Sequence, residues 1–173
     1  PGLKSWIMCS PFPQQAIVDL DNLLEYFPNC LEGNESVVNQ SLAVLGYSHF
    51  LSRRLIRYPG WVKELRESNN LDRPRFDDEL SKSLISRINS QTIWHSKDLR
   101  NLLRRFKYQE YYRLTVRDLL NLATEEVILA ELTSLTKITL DWAFRAATLE
   151  AKQFELSSRV LLANEIRPPF LIL

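Results

Sequence analysis

Apolar residues at helical spacing run through residues 97–154, and this pattern constrains the fold more than any other feature. Ser96 is placed to cap one helix, and Thr124 to cap a second helix that has Glu125 and Glu126 in its first turn. Two helices of about 25 residues joined by a short connection pack as an antiparallel hairpin. We therefore predict such a hairpin, starting near Ser96 and Thr124. The apolar stripe expected on the second helix contains Val127, Ile128, Leu132, Leu135, Ile138, Leu140, Trp142 and Phe144.

Shorter helical patterns fill the first half of the chain. The predicted starts of these helices lie near Gln14, Asn34, Ser48, Pro59 and Phe76. The helix from Asn34 should end at Gly46, where glycine suits a C-terminal cap. Because the chain contains only 4 glycines, glycine-rich phosphate loops and turn-rich β folds are excluded. The predicted fold class is all-α, a multi-helix array of about six to eight helices with at most one short terminal strand.

The domain organisation predicted from these patterns is a single helical domain over residues 1–173. It divides into a small helical subregion (1–67), a polar linker (68–74), a long-helix subregion (75–167) and a strand-like tail (168–173). Three prolines in residues 1–13 predict irregular chain there. The apolar run Phe170-Leu171-Ile172-Leu173 resembles the start of a buried strand without a ladder partner. We expect it to make the isolated chain prone to association, because unpaired strand edges pair between chains. The alternative is that the run folds back onto the helices as a packed tail.

The charge balance is nearly neutral, with 22 basic and 21 acidic residues and a formal charge of +1. This balance argues against a dedicated nucleic-acid or membrane-surface protein. No stretch approaches the ~20 apolar residues that a membrane span needs. Cys9 and Cys30 are the only cysteines, and we interpret them as reduced, packed thiols in a cytosolic chain, with a single disulfide as the alternative.

Catalytic and metal-ligating patterns are absent from the sequence. His49 and His95 lie in different predicted elements, and neither belongs to a ligand cluster. Asp19 and Asp21 have the spacing that holds magnesium on a strand, but on a helix such residues point about 200° apart. We therefore predict a solvated helix face for the aspartate pair and assign no catalytic or metal-binding residue.

The most distinctive stretch is basic and rich in tyrosine, with seven cations against three acids in residues 97–118. The candidates for contact with a phosphate or a partner protein are Arg104, Arg105, Arg113 and Arg117. From the residues alone, the favoured interpretation is a long solvated helix whose arginines pair with neighbouring carboxylates, such as Glu110 with Arg113.

A family resemblance rests on four segments of this region. They are Arg104-Arg105-Phe106-Lys107, residues 111–119 (YYRLTVRDL), residues 124–126 (TEE) and residues 131–135 (ELTSL). These segments resemble the helical part of the bacterial glutamine synthetase adenylyltransferase family. The segment 51–61 is similar to an earlier part of that family, and the tail at 169–173 resembles the strand that leads into its glycine-rich loop.

The resemblance implies the N-terminal helical part of a bifunctional cytoplasmic enzyme. Such an enzyme transfers AMP from ATP to a tyrosine of glutamine synthetase and removes it by phosphorolysis, with magnesium and ATP as cofactors of the full-length protein. The implied partners are glutamine synthetase and the rest of the same polypeptide, including its nucleotidyltransferase domain. The family's catalytic loop and metal-binding aspartates would follow Leu173, so no catalytic residue is carried over and the chain alone is expected to be inactive. The alternative is a stand-alone helical interaction module without catalysis.

Overall fold

The structure is a computed structural model that describes residues 2–32, 35–67, 71–90 and 96–163. Regular secondary structure in these ranges is entirely helical, which confirms the all-α prediction. The α-helices are α1 (Leu3–Met8), α2 (Pro13–Tyr26), α3 (Glu35–Ser41), α4 (His49–Arg57), α5 (Gly60–Glu67), α6 (Asp77–Asn89), α7 (Ser96–Leu119) and α8 (Glu125–Ala163). A short 3₁₀ helix, Pro28–Leu31, follows α2.

Local chemistry places several helix ends where the sequence predicts them. Ser48 caps α4, since its hydroxyl accepts a 3.3 Å hydrogen bond from the backbone N–H of Leu51. Helix α2 begins at Pro13, whose fixed φ suits a first turn, and ends before Pro28. Helix α8 begins at Glu125, directly after Thr124.

Three sequence-based expectations about helices are wrong. Residues 3–8 form α1, because the prolines flank this segment rather than interrupt it. Helix α3 ends at Ser41, and a series of turns follows up to residue 47. Helix α8 has 39 residues rather than about 25, since no glycine or proline interrupts it.

Gly46 belongs to the turns after α3 and has a φ of +79°. A Cβ on this residue would lie 2.2 Å from the Ser10 hydroxyl oxygen and 2.9 Å from the Cβ of Ala16. The chain therefore needs glycine here, both for the left-handed backbone and for the close approach to α2.

Among the described residues the apolar core has two parts, and α7 contributes to both of them. One part is built mainly from the first five helices, with Tyr112 and Val116 of α7 packed into it. The other lies between α6, α7 and α8, with Phe106 and Leu114 on the α7 side. Helix α7 is therefore a shared wall between two hydrophobic clusters.

Helices α7 and α8 run antiparallel. Arg117 pairs with Glu131 near the connection, and Arg100 pairs with Glu150 at 2.6 Å near the other end. The buried face of α8 includes Ile128, Leu135, Ile138 and Ala146. Two residues of the predicted stripe, Leu140 and Phe144, are instead 64% and 73% exposed, because they lie outside the three-and-four spacing of that face.

Asn121 ends α7 through a Schellman motif. It is the only described non-glycine residue with positive φ, at 52°. The Leu122 N–H donates to the Arg117 carbonyl at 2.8 Å, and the Asn121 N–H donates to the Asp118 carbonyl at 3.0 Å. Asparagine tolerates this left-handed conformation better than other side chains do.

The predicted strand-like tail lies outside the described residues.

Replacement of Asn121 should separate backbone conformation from side-chain chemistry. Asn121→Val should lower the free energy of unfolding by about 1–2 kcal/mol, because a β-branched residue is strained in the left-handed region. Asn121→Gly should leave the stability unchanged or raise it. Urea denaturation followed by circular dichroism measures both variants. Equal stability of the two variants would show that the left-handed turn is not what ends α7.

Candidate functional site

The four arginines that the sequence suggests for contact with a phosphate or a partner protein do not lie together in the structure. Arg104 and Arg105 are exposed on α7. Arg113 and Arg117, on the same helix, are only 3% and 1% exposed. The two pairs therefore lie in different environments, one in solvent and one in the protein interior.

The interior pair belongs to a buried cluster that we call the arginine–glutamate network, consisting of Arg75, Glu110, Arg113, Arg117 and Glu131. Glu131 of α8 is fully buried and lies at its centre. One of its carboxylate oxygens accepts from the Arg117 guanidinium, and the other accepts from Arg113 and from the Arg75 backbone N–H, the last at 2.9 Å.

Glu110 forms the second centre of the network. It accepts a 2.8 Å hydrogen bond from the Arg75 guanidinium and a 2.9 Å hydrogen bond from Arg113 Nε. Arg75 also lies 3.3 Å from the carboxylate of the half-buried Glu79. These contacts place three carboxylates around the three guanidinium groups, and the third carboxylate also pairs with the exposed Arg73.

The network joins the segment before α6 to α7 and α8. Burial lowers the pKa of the Arg117 guanidinium, and the like charge of Arg113 adds to this effect. Contact of Arg113 or Arg117 with an external phosphate would require their guanidinium groups to leave buried carboxylates. The predicted Glu110–Arg113 pair is present, but it is buried rather than on a solvated face.

A second polar cluster holds α7 against the first five helices. The buried Tyr112 hydroxyl donates to the Ser41 carbonyl, and Arg66 Nε donates to the Ser41 hydroxyl at 2.9 Å. Burial raises the pKa of Tyr112 and lowers the pKa of Arg66. Arg66 also donates to the Cys30 carbonyl, so the cluster ties together α3, α5, α7 and the 3₁₀ helix.

The cysteines differ from each other in exposure. Both are free thiols, and Cys30 is buried as expected. Burial raises the pKa of the Cys30 thiol, which makes it a poor nucleophile. Cys9 is exposed, so the expectation that both thiols are packed is wrong for Cys9, which lies just beyond the end of α1.

Asp19 corrects another sequence-based expectation. It is 3% exposed rather than solvated, because α2 packs this face against α4. Gln15 Nε2 donates to one of its carboxylate oxygens at 2.9 Å, and His49 Nδ1 lies 3.9 Å from the other. Asp21 is exposed, as predicted.

The described ranges contain no group of three or more histidine, cysteine, aspartate or glutamate side chains placed to hold a metal ion. His95 lies outside these ranges. Among the helices that the structure describes, none combines the length and the apolar character needed to cross a membrane.

A partly exposed basic surface surrounds the aromatic side chains of α4 and α7. We call its four cations Arg54, Arg57, Arg105 and Lys107 the cationic rim. The Arg54 guanidinium lies 4.5 Å from the ring centre of Tyr108, and the Arg105 guanidinium lies 5.3 Å from that of Tyr58. Arg104 is exposed beside this rim. The sequence pattern identified the α7 cations of this surface but missed the α4 cations.

Next to the rim, a groove of about 460 Å³ opens between α4, α7 and α8. Its walls are mostly apolar and include Phe50, Leu51, Tyr111, Leu114, Ile128 and Leu132. Asp118 lines it as well. The groove is a candidate binding surface because an apolar concavity of this size bounded by a few polar groups is typical of ligand sites.

Comparison with known proteins gives one family. The sequence profile described as glutamate-ammonia ligase adenylyltransferase matches residues 38–165. The chain belongs to this family. A bifunctional glutamine synthetase adenylyltransferase/adenylyl-removing enzyme of Shewanella woodyi is 31% identical over 107 residues, 58% of this chain and 11% of the relative. The protein of the same name from Shewanella frigidimarina is 27% identical over 130 residues, 71% of this chain and 13% of the relative.

The glutamate-ammonia ligase adenylyltransferase match confirms the resemblance of the chain to this family. The chain spans only 11% and 13% of the length of these two curated relatives. No solved structure matches the chain at a significant level.

The segments that carry the resemblance to the adenylyltransferase family supply most of the buried network. Arg113 and Arg117 lie in the segment 111–119, and Glu131 begins the segment 131–135. In this structure their contacts are with one another and with Glu110 and Arg75. These motif residues therefore hold helices together.

Removal of the central carboxylate tests this role. Glu131→Ala should lower the free energy of unfolding by about 3–5 kcal/mol, because it leaves the buried Arg117 guanidinium without its carboxylate and removes one of the two carboxylates paired with Arg113. The matched control is Glu125→Ala, an exposed position in the first turn of α8, which should cost no more than about 1 kcal/mol. Thermal and urea unfolding measure both variants. Similar losses for the two variants would contradict a structural role for Glu131.

Proposed function

We propose that this chain is the N-terminal helical part of a bifunctional glutamine synthetase adenylyltransferase/adenylyl-removing enzyme. The family match over residues 38–165 and the printed names of the two Shewanella relatives support this proposal. The parent enzyme is cytoplasmic and regulates nitrogen assimilation. Its protein substrate is glutamine synthetase, and its cofactors are ATP and magnesium. Neither nucleic acid nor a membrane is a partner.

The observation that carries the proposal for this part of the enzyme is the buried network. Its arginines and glutamates pair with one another and join the segment before α6 to α7 and α8. We assign to the chain the role of a rigid support, in which α8 extends for about 58 Å at 1.5 Å per residue. In this proposal, the catalytic loop and the metal-binding aspartates belong to a nucleotidyltransferase domain that would begin near residues 168–173, where the sequence alone predicts a strand.

The single-domain organisation remains part of this proposal, with subregions 1–67 and 75–167 and a linker at 68–74. Helix α7, in the second subregion, packs into both hydrophobic clusters. This packing favours one folded unit over two independent ones.

A second function is a stand-alone helical interaction module, which the open groove favours. The coding sequence downstream of Leu173 discriminates between the two functions. A glycine-rich loop followed by Asp-x-Asp supports the enzyme, and a stop codon supports the module.

The isolated chain should have no de-adenylylation activity. Positioned metal ions supply most of the charge stabilisation in phosphoryl transfer, and the proposal places the metal-binding aspartates outside this chain. Purified chain is incubated with adenylylated glutamine synthetase, phosphate and magnesium, and ADP release is measured. Full-length enzyme is the positive control. ADP release by the chain above a blank would contradict the proposal.

Of the four candidate arginines, we propose that Arg104 and Arg105 contact the protein substrate or the active cleft, because both are exposed. In the full-length enzyme, Arg104→Gln/Arg105→Gln should raise the KM for glutamine synthetase at least about fivefold and leave the KM for ATP unchanged. Arg145→Gln, an exposed position on α8, is the control. An unchanged KM for glutamine synthetase would show that Arg104 and Arg105 do not contact the protein substrate.

A further inference from the structure

The cations of the rim lack the carboxylate partner that several other described surface cations have. Elsewhere on the surface, Arg73 pairs with Glu79, Arg87 with Glu64, Arg100 with Glu150, Lys137 with Asp77, and Arg145 with Asp141. Within the described ranges, no carboxylate lies within ion-pair distance of Arg54, Arg57, Arg105 or Lys107. The rim is therefore a local positive surface on a chain whose net charge is only +1.

Aromatic rings fix the positions of these cations. Arg54 lies over both Phe50 and Tyr108, and Lys107 lies over Tyr108 and Tyr111. A guanidinium that rests on a ring keeps the N–H groups of its edge available, so it can bind a carboxylate in bidentate fashion with little loss of rotamer freedom.

The rim and the groove share two side chains, so they form one continuous surface. Phe50 and Tyr111 contact rim cations and also line the groove. Along α7, the surface runs from Lys107 at the basic end to Asp118 at the other end, about 16 Å at 1.5 Å per residue. It therefore presents an apolar slot with positive charge concentrated at one end.

We propose that this surface is a docking site for an acidic polypeptide segment, with an apolar side chain of the segment in the groove and its carboxylates on the cationic rim. Charge complementarity identifies the occupant, because the rim offers several unpaired cations where the groove opens. The inference concerns binding by α4, α7 and α8, and it holds whether or not the proposed enzymatic function is correct.

A polypeptide fits this surface better than a single-stranded nucleic acid does. Nucleic-acid sites without sequence preference use aromatic faces on which bases stack. Here the Tyr108 ring carries Arg54 and Lys107 and meets the Phe50 edge, and the Tyr58 ring stacks on Trp61 under Arg105.

The test uses the complete 173-residue chain and a fluorescein-labelled synthetic peptide with several glutamates and two leucines one helical turn apart. Fluorescence anisotropy should show saturable binding that weakens when salt is raised. Arg54→Gln/Lys107→Gln should raise the Kd at least about tenfold. Arg73→Gln/Arg145→Gln makes the same change in net charge on exposed residues outside the rim, and it should shift the Kd by no more than about twofold.

Substitutions in the peptide keep the test independent of protein folding. Replacement of the two leucines by serine should weaken binding at least about fivefold, and replacement of the glutamates by lysine should abolish it. An oligothymidylate of equal charge should bind more weakly than the peptide. Tighter binding of the oligothymidylate, equal losses in the two double variants, or no binding of the acidic peptide would overturn the proposal. Because the readout is binding rather than ADP release, its failure is distinguishable from failure of the proposed enzymatic function.

Discussion

The buried carboxylate of Glu131 is the interaction on which the arrangement of the long helices depends. A fully desolvated carboxylate is costly unless it is paired, and this one is paired with Arg113, Arg117 and the backbone of Arg75. A shift of α8 by one helical turn, about 5.4 Å, would leave these charges buried without partners. Apolar contacts alone tolerate such a shift better, because they are not directional. The network therefore fixes the register of α7 and α8.

The position of α7 affects both hydrophobic clusters, because the helix packs between them. Tyr112 is anchored by the carbonyl of Ser41 in α3, and Arg113, the next residue, is anchored by Glu131 of α8. The exposed side of the same helix bears Arg105, Lys107 and the aromatic residues of the groove. The position of the rim relative to α4 and α8 thus follows from contacts made in the interior.

Much of the fold could be predicted from apolar spacing and capping residues, including the bounds of α2, the Ser48 cap and the starts of α7 and α8. The separation of the arginines could not be predicted in the same way, because Glu and Arg three residues apart suit a solvated helix as well as a buried one. One usable signal was Glu131 itself. It lies on the spacing of Ile128, Leu135 and Ile138, which marks the buried face of α8.

The same reasoning explains how structural residues can carry the match of a chain to an enzyme family. Buried charged clusters tolerate few substitutions, since removal of one partner leaves an uncompensated charge in the interior. Arg113, Arg117 and Glu131 are such residues, and they are also the residues by which the chain resembles the family. The sequence resemblance to the family therefore reflects how α7, α8 and the segment before α6 pack together. The surface around Arg54 and Lys107 is a separate property of the chain, because these cations contact aromatic rings and have no carboxylate partner in the described residues.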